Sequence, residues 1–221
     1  MFIVLEGLDG AGKSTQVKML RSYLDSRTGG RLDYIHFPRY DAPVYGDLIS
    51  RFLRGEFGAN DQVHPQLVAL LFAEDRHGAG PIIRESLGKG RTVLLDRYVY
   101  SNIAYQCAKL ESAAEADALR DWILQTEFGD FSLPRPDLNI FLDVPIGFVE
   151  KSLGADRGER AYLDGGRDIH EASIEFQKKV RDRYLAEKDG VTVVDCSDTD
   201  GGMLDPQSIF GKIKSLIDGR L

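Results

Sequence analysis

The sequence predicts an α/β fold: a five-stranded parallel sheet flanked by helices on both faces. Three observations predict it. Five short apolar runs recur along the chain, segments with helical periodicity lie between them, and a glycine-rich turn joins the first run to the first helix. Strands that alternate with helices are the pattern of βαβ units.

The runs are residues 2–5, 34–37, 92–96, 139–144 and 191–195. Each has the length of a buried strand, and most lack polar alternation, as parallel strands covered on both faces do. Residues 14–26 supply the helix after the first run. Residues 65–87 precede the third and place Leu67, Leu70, Leu71, Glu74 and Asp75 at helical spacing. Residues 101–110 and 115–128 follow the third run, 169–187 precede the fifth, and 206–217 close the chain. No repeat, low-complexity tract or linker divides these elements, so the expectation is one domain over residues 1–221.

Composition excludes several classes. At 221 residues, with 43% hydrophobic and 29% charged, the chain builds a core without staples and is not a disordered or collagen-like sequence. The net charge, 28 − 35 = −7, argues against a nucleic-acid or anionic-membrane partner, which calls for a basic face. The longest strongly apolar run, residues 67–73, is far short of a membrane span. Four apolar residues reach Glu6 with no basic region ahead of them, unlike a signal peptide. Cys107 and Cys196 form no CxxC pair or disulfide framework, and His36, His64, His77 and His170 match no metal-ligand spacing. The expected compartment is the cytoplasm.

Gly7-Leu8-Asp9-Gly10-Ala11-Gly12-Lys13-Ser14 fits GxxxxGK[ST] at every fixed position, between a strand and a helix. Glycines let backbone N–H groups curl around an anion, and the helix N-terminus adds unpaired donors. Lys13 can reach the β- and γ-phosphates of a nucleotide, and the Ser14 hydroxyl can ligate Mg²⁺. The fold is therefore that of a P-loop NTPase, with Gly7, Gly10, Ala11, Gly12, Lys13, Ser14 and Thr15 as the ATP-binding set. There is no NKxD guanine motif, and a motor ATPase usually needs a longer chain. A small kinase needs a second anion site and an arginine-bearing lid.

Both have candidates. Asp96-Arg97-Tyr98 ends the third strand, at the sheet edge where ligands gather. Asp96 can organise Mg²⁺ beside Ser14, and Arg97 offers a fork to a phosphate; alternatively the two only cap a strand. Phe37-Pro38-Arg39-Tyr40 ends the second strand at the same edge, with Arg39 either a phosphate ligand or an exposed loop residue. Phe72 and Arg76, four apart on one helix face, can stack on a base and donate to it. On its own that pair also reads as a core aromatic and a surface ion pair with Glu74 or Asp75. Ser101, Asn102 and Tyr105 share a helical turn, where Asn102 can pair with a base edge and Tyr105 can wall a sugar; a Ser N-cap followed by ordinary helix residues fits equally. Residues 154–167 mix Gly154, Gly158, Gly165 and Gly166 with Arg157, Arg160 and Arg167, which reads as a mobile basic loop.

Taken together, GLDGAGKST (7–15), FPRY (37–40), LFAEDR (71–76), DRY (96–98) with SNIAY (101–105), LPRPD (133–137) and the basic loop from 157 to 171 resemble the thymidylate kinase family, in family order and over most of the chain. The resemblance implies phosphoryl transfer from ATP to dTMP, giving ADP and dTDP for dTTP synthesis, by a Mg²⁺-dependent homodimer. It implies that Phe72 stacks on thymine, Arg76 donates to a carbonyl, Asn102 faces N3, and Tyr105 crowds C2′. Phe37, Pro38, Tyr40 and Ser101 belong to the same acceptor pocket. Arg39 and Arg97 would hold the acceptor phosphate. Asp9 would hold the 3′-hydroxyl or a magnesium-bound water, with Ser14, Asp9, Asp96 and Glu171 as the metal set. Arg157 and Arg160, in a lid over about 154–168, would join Asp9, Lys13 and Arg97 as the catalytic group. Two departures stand out. Some members carry a basic residue at the position of Gly10, so here the lid must supply that charge. A tyrosine often stands where this chain has His170.

A phosphate nucleophile is already largely dianionic at neutral pH, so no general base is needed. Another nucleoside monophosphate kinase shares this chemistry and differs at Phe72, Arg76 and Asn102. A deoxynucleoside kinase needs a base carboxylate instead, and a regulatory nucleotide-binding protein turns nothing over.

Overall fold

A computed structural model describes residues 1–155, 161–164, 168–171 and 173–220. The sheet is β1 (Phe2–Gly7), β2 (Leu32–His36), β3 (Thr92–Asp96), β4 (Leu138–Asp143) and β5 (Thr192–Asp195), in the order β2-β3-β1-β4-β5. Every pairing is parallel, with Leu5 opposite both Asp96 and Ile140. The helices are α1 (Lys13–Thr28), α2 (Tyr45–Leu53), α3 (Pro65–Gly88), α4 (Val99–Cys107), α5 (Ala113–Leu124), α6 (Ile146–Gly154), α7 (Ile174–Ala186) and α8 (Pro206–Asp218).

Hydropathy fixes which strands are central. Every residue of β1 and β3 is buried, which requires cover on both faces. β2 is half-buried throughout, as an edge strand with one open flank. Helix α1 packs on α8, α1 lies on β1, β2 and β3, and α8 lies on β5. A second layer centres on α4, whose nine residues are all buried among α3, α5, α7 and β1. The chain order reverses at β1, between β3 and β4, so a crevice opens at the C-terminal ends of these strands.

Three local features depart from the sequence expectation. Helices α2 and α6 are too short to show periodicity over a long window. Residues 169–171, expected at the start of the α7 helix, form a turn instead. Ser173 caps α7 by accepting from Phe176 N at 3.3 Å, and Ile169 N donates to Leu53 O at 2.9 Å, which ties the turn to α2. The segment expected to run on from α5 becomes a π-helical stretch, Gln125–Asp130.

Candidate active site

At the end of β1 the chain enters a tight turn. Gly10 (φ +76°) and Gly12 (φ +73°) take left-handed backbone, where a Cβ is costly. A Cβ on Gly10 would also stand 3.1 Å from Ser152 Oγ on α6. Gly12 caps α1 with no side-chain bond, which leaves the first-turn N–H groups to an anion. Lys13 Nζ donates across the turn to Leu8 O at 3.3 Å, and Ser14 and Thr15 are exposed. Burial, and then the charge of Arg97, lowers Lys13 to about 8.

Arg97 leaves β3 with φ +68°, a strained conformation for a side-chain-bearing residue. The strain is held from below by Glu6, the last polar residue of β1, which is fully buried. Its Oε1 accepts Tyr98 N at 3.0 Å and Ser101 N at 3.3 Å, and so caps α4, whose N-cap Tyr98 supplies no side-chain bond. Its Oε2 accepts the hydroxyls of Ser101 and Tyr184. Burial raises the Glu6 carboxyl above its usual range, against these donors. Ser101 Oγ in turn accepts Arg97 Nη1 at 3.1 Å.

The far end of Arg97 meets the phosphate-binding turn. Nη2 donates to Asp9 Oδ1 at 2.6 Å, and the Tyr105 hydroxyl donates to Asp9 Oδ2 at 2.7 Å. Burial works against the Asp9 charge, but Arg97, Lys13 and Tyr105 outweigh it and hold the carboxyl at about 2. Two cations and an anion thus converge between the ends of β1 and β3.

From here a pocket of ≈360 Å³ runs along α4. Phe72 forms one wall and His170 another, with ring centroids 6.3 Å apart and planes 23° from parallel. Burial, and then nearby Lys109, lowers His170 to about 3, so the ring is neutral. Arg76 and Asn102 form the polar end. Arg76 is buried and paired with Glu127, through Nε to Oε2 and through Nη2 to Oε1 at 2.7 Å. Asn102 gives both amide hydrogens to protein, to Ala69 O and to Glu127 Oε1, each at 2.9 Å, and its Oδ1 is buried with no partner. Over the mouth, Tyr162 stacks on Tyr40 with centroids 4.0 Å apart, and its hydroxyl donates to Asp168 Oδ2 at 3.0 Å.

The residues expected from sequence fall into four groups. Asp9, Gly10, Ala11, Gly12, Lys13, Ser14, Phe37, Pro38, Tyr40, Phe72, Arg76, Asp96, Arg97, Ser101, Asn102, Tyr105 and Glu171 all line this one pocket. Gly7 lies beneath it, where a Cβ would meet Lys13 Cγ at 3.1 Å, and Thr15 sits on the exposed first turn of α1. Arg39, expected at the acceptor phosphate, is not a pocket wall. Its main-chain N donates to Asp75 Oδ2 at 2.8 Å, its Nε to Oδ1 at 2.9 Å and its Nη2 to Asp75 O at 2.6 Å. Asp75 is buried on α3 and takes this guanidinium as its counter-charge. Arg76, for its part, pairs with neither Glu74 nor Asp75 but with an acid 51 residues away. Arg157, Arg160 and Arg167 lie outside the described residues, and Gly154, expected in the lid, is the last residue of α6.

The expected Mg²⁺ ligands do not form one cage. Among the described residues no three His, Cys, Asp or Glu side chains converge to hold a metal ion. Asp96 Oδ1 is nevertheless buried without a partner, its Oδ2 lies 3.3 Å from His36 Nδ1, and the Ser14 hydroxyl is exposed nearby on the same pocket wall. That donor set fits Mg²⁺, which keeps its waters and binds phosphate oxygens with only one or two protein groups.

A family model described as thymidylate kinase matches residues 5–199. This chain belongs to the thymidylate kinase family. Thymidylate kinase from Mycobacterium tuberculosis (strain H37Rv) is 38% identical over 184 residues, 81% of each chain. The human enzyme is 35% identical over 159 residues, 71% of this chain and 68% of its own. Among solved structures, the thymidylate kinase of Candida albicans superposes with a TM-score of 0.72 at 28% identity, covering 99% of this chain and 91% of that one. The kinase therefore uses dTMP and ATP and phosphorylates dTMP. Among its described residues no helix is long and apolar enough to cross a membrane.

Sequence reasoning names Asp75 only as a partner for Arg76, not for Arg39, and does not find Glu6 or Glu127; these are the acids that hold the kinase's arginines or their turns. A signal exists for two. Glu6 is a charge at the end of an unbroken apolar strand. Glu127 follows Ala116, Leu119 and Ile123, the buried stripe of α5, where a charge needs a partner.

Proposed function

We propose that the pocket seats dTMP with its thymine along Phe72 and its phosphate at Arg97, and that ATP docks on the turn from Gly7 to Thr15. The observation that carries the base assignment is Asn102 Oδ1, buried in the pocket wall without a partner while both amide hydrogens are used. An unpaired buried acceptor calls for a donor, and thymine N3–H supplies one. Arg76 donates to the neighbouring carbonyl. Tyr105 stands against the sugar, and Phe37, Pro38 and Tyr40 enclose the acceptor.

The chemistry is displacement by an oxygen of the dTMP phosphate, whose second pKa of about 6 leaves it largely dianionic at neutral pH. No side chain need take a proton. The residues instead offset repulsion between two anions and align them. Lys13 and Arg97 are the cations at the phosphate end of the described pocket, and Asp9 orients Arg97. Arg39 acts through Asp75, fixing the turn that carries Pro38 and Tyr40. Arg157 and Arg160 complete the charge over the donor phosphates, residues 154–168 acting as a lid within a single catalytic domain. Ser14 and Asp96, with Asp9 and Glu171, would hold Mg²⁺, which would supply further neutralisation of phosphate charge.

This reading includes a homodimer, supported by Leu67, Leu70 and Ile82, which stand exposed on α3 at 64%, 37% and 53%. It includes a cytoplasmic location, supported by two free cysteines. The test is ADP release with ATP and Mg²⁺ against dTMP, dUMP, dCMP, UMP, dGMP and thymidine. Turnover on dTMP, slower turnover on dUMP and none on thymidine are expected. Turnover of dCMP equal to dTMP would remove the Asn102 assignment, and turnover of thymidine would put a hydroxyl where Arg97 is assigned a phosphate.

A further inference from the structure

We infer that Glu127 is a positioning residue for base selection: its carboxylate fixes which atoms of Asn102 and Arg76 the pocket displays, and so sets the preference for a base bearing N3–H over one with a bare N3. The inference rests on the pocket reading above.

Glu127 touches no part of the pocket. It is fully buried, at 0% exposure, in the π-helical stretch after α5, a helix type that often occurs at functional sites. Its two oxygens take three donors, Arg76 Nε on Oε2 and Arg76 Nη2 with Asn102 Nδ2 on Oε1. The second Asn102 hydrogen goes to Ala69 O.

The orientation of an asparagine amide is decided by its partners. Here both partners only accept. A flipped Asn102 would set Oδ1 against Glu127 Oε1 and Ala69 O at once, so the amide oxygen is locked toward the pocket. Arg76, with Nε and Nη2 committed to Glu127, is left with Nη1 to serve the pocket it lines. The wall therefore displays an acceptor beside a donor. Thymine and uracil present the complement, N3–H beside the C4 carbonyl. Cytosine presents a bare N3 beside an amino group, which opposes acceptor to acceptor and donor to donor. A site built to pair a polar group rejects the mismatch strongly, because its own buried groups stay unpaired.

Glu127→Gln separates this role from that of a plain counter-ion to Arg76. Glutamine offers one oxygen and one NH₂ where Glu127 offers two acceptors, so at least one of the three donors faces an N–H: Arg76 Nε in one orientation, Arg76 Nη2 and Asn102 Nδ2 in the other. The expected result is a fall of at least tenfold in the ratio of kcat/KM for dTMP to kcat/KM for dCMP. The loss should come mainly through KM for dTMP, with kcat within threefold. If dTMP and dCMP decline together and the ratio holds, Glu127 only balances charge and the inference is wrong. A wild-type enzyme that does not separate dTMP from dCMP would instead sink the pocket reading, and this inference with it. Should the variant not fold, the wild type still decides by side-chain amide NMR. Both Asn102 amide protons should be protected from exchange before and after dTMP binds, with a slowly exchanging N3–H appearing on the bound nucleotide. Freely exchanging Asn102 amide protons would overturn the inference.

Discussion

Replacing Glu6 by Gln asks how firmly the buried carboxylate holds the turn that presents Arg97. Glu6 Oε1 takes two main-chain N–H groups, and Oε2 takes the Ser101 and Tyr184 hydroxyls. Glutamine can keep the first pair on its remaining oxygen. Its NH₂ then faces two hydroxyls that must both turn their protons away. Ser101 Oγ already accepts Arg97 Nη1, so its proton can go only to Tyr184, 2.7 Å away, and the Tyr184 proton is left without an acceptor. One unpaired buried donor costs about 1–3 kcal/mol. Part of this is returned, because burial disfavours the carboxylate charge that the substitution removes. A net loss of about 1–2 kcal/mol, at about 2–4 °C per kcal/mol for a chain of this size, lowers Tm by roughly 2–8 °C. Displacement of Arg97 by about 1 Å costs on the order of 10²-fold in rate. We therefore expect kcat to fall by about 10- to 100-fold, with KM for ATP within about threefold. Calorimetry and the coupled ADP-release assay on the same preparation measure both. A lowered Tm with wild-type kcat would confine Glu6 to folding and refute its hold on Arg97.

Three further outcomes are expected. Arg97→Ala should lower kcat by about 10³-fold, at the low end for a transition-state arginine, with little change in Tm; kcat within tenfold of wild type would exclude Arg97 from the mechanism. Gly46→Ala should raise KM for dTMP by about tenfold on the scale of a small misplacement, because the new Cβ would lie 2.5 Å from Tyr40 O and push the 39–40 turn; an unchanged KM refutes the coupling. Burial lowers His170 from 6.5 to about 3, so between these pH values the unfolded chain binds the extra proton and the contribution of His170 to stability falls as pH falls, opposed by Asp168, which burial raises to about 7. His170→Phe should flatten that acid limb in urea titrations from pH 6.5 to 4, and an unchanged slope would show that the ring is not held neutral.

The parts of the site that could be read from sequence are those whose chemistry is written in contiguous residues. The phosphate-binding turn needs glycines, lysine and a hydroxyl at fixed spacing, and Asn102 and Tyr105 share a helical face with Ser101. What could not be read is pairing over long separations. Arg39 and Asp75 stand 36 residues apart, and Arg76 and Glu127 stand 51 apart. Each arginine could be placed near the right strand end, but the acid that claims it depends on how α3 packs against its neighbours. The turn at 169–171 was likewise hidden, because its tie to Leu53 O competes with helix continuation from across the fold.

Helix α4 carries both halves of the site, and the halves have separate supports. Its N-terminus and the preceding Arg97 rest on Glu6, from the central strand. Its pocket face, through Asn102, rests on Glu127, from the stretch after α5. Neither carboxylate bonds to the other's partners: Glu6 takes Tyr98, Ser101 and Tyr184, and Glu127 takes Arg76 and Asn102. Sites that share no partner behave nearly additively. Rate and base choice should therefore come apart under mutation even though Ser101 and Asn102 are adjacent in the chain. In the double variant Glu6→Gln/Glu127→Gln, the losses in kcat and in dTMP-to-dCMP discrimination should each match the single variant that causes them. Coupling above about 0.5 kcal/mol would mean that α4 shifts as one body and that the two carboxylates support a single function.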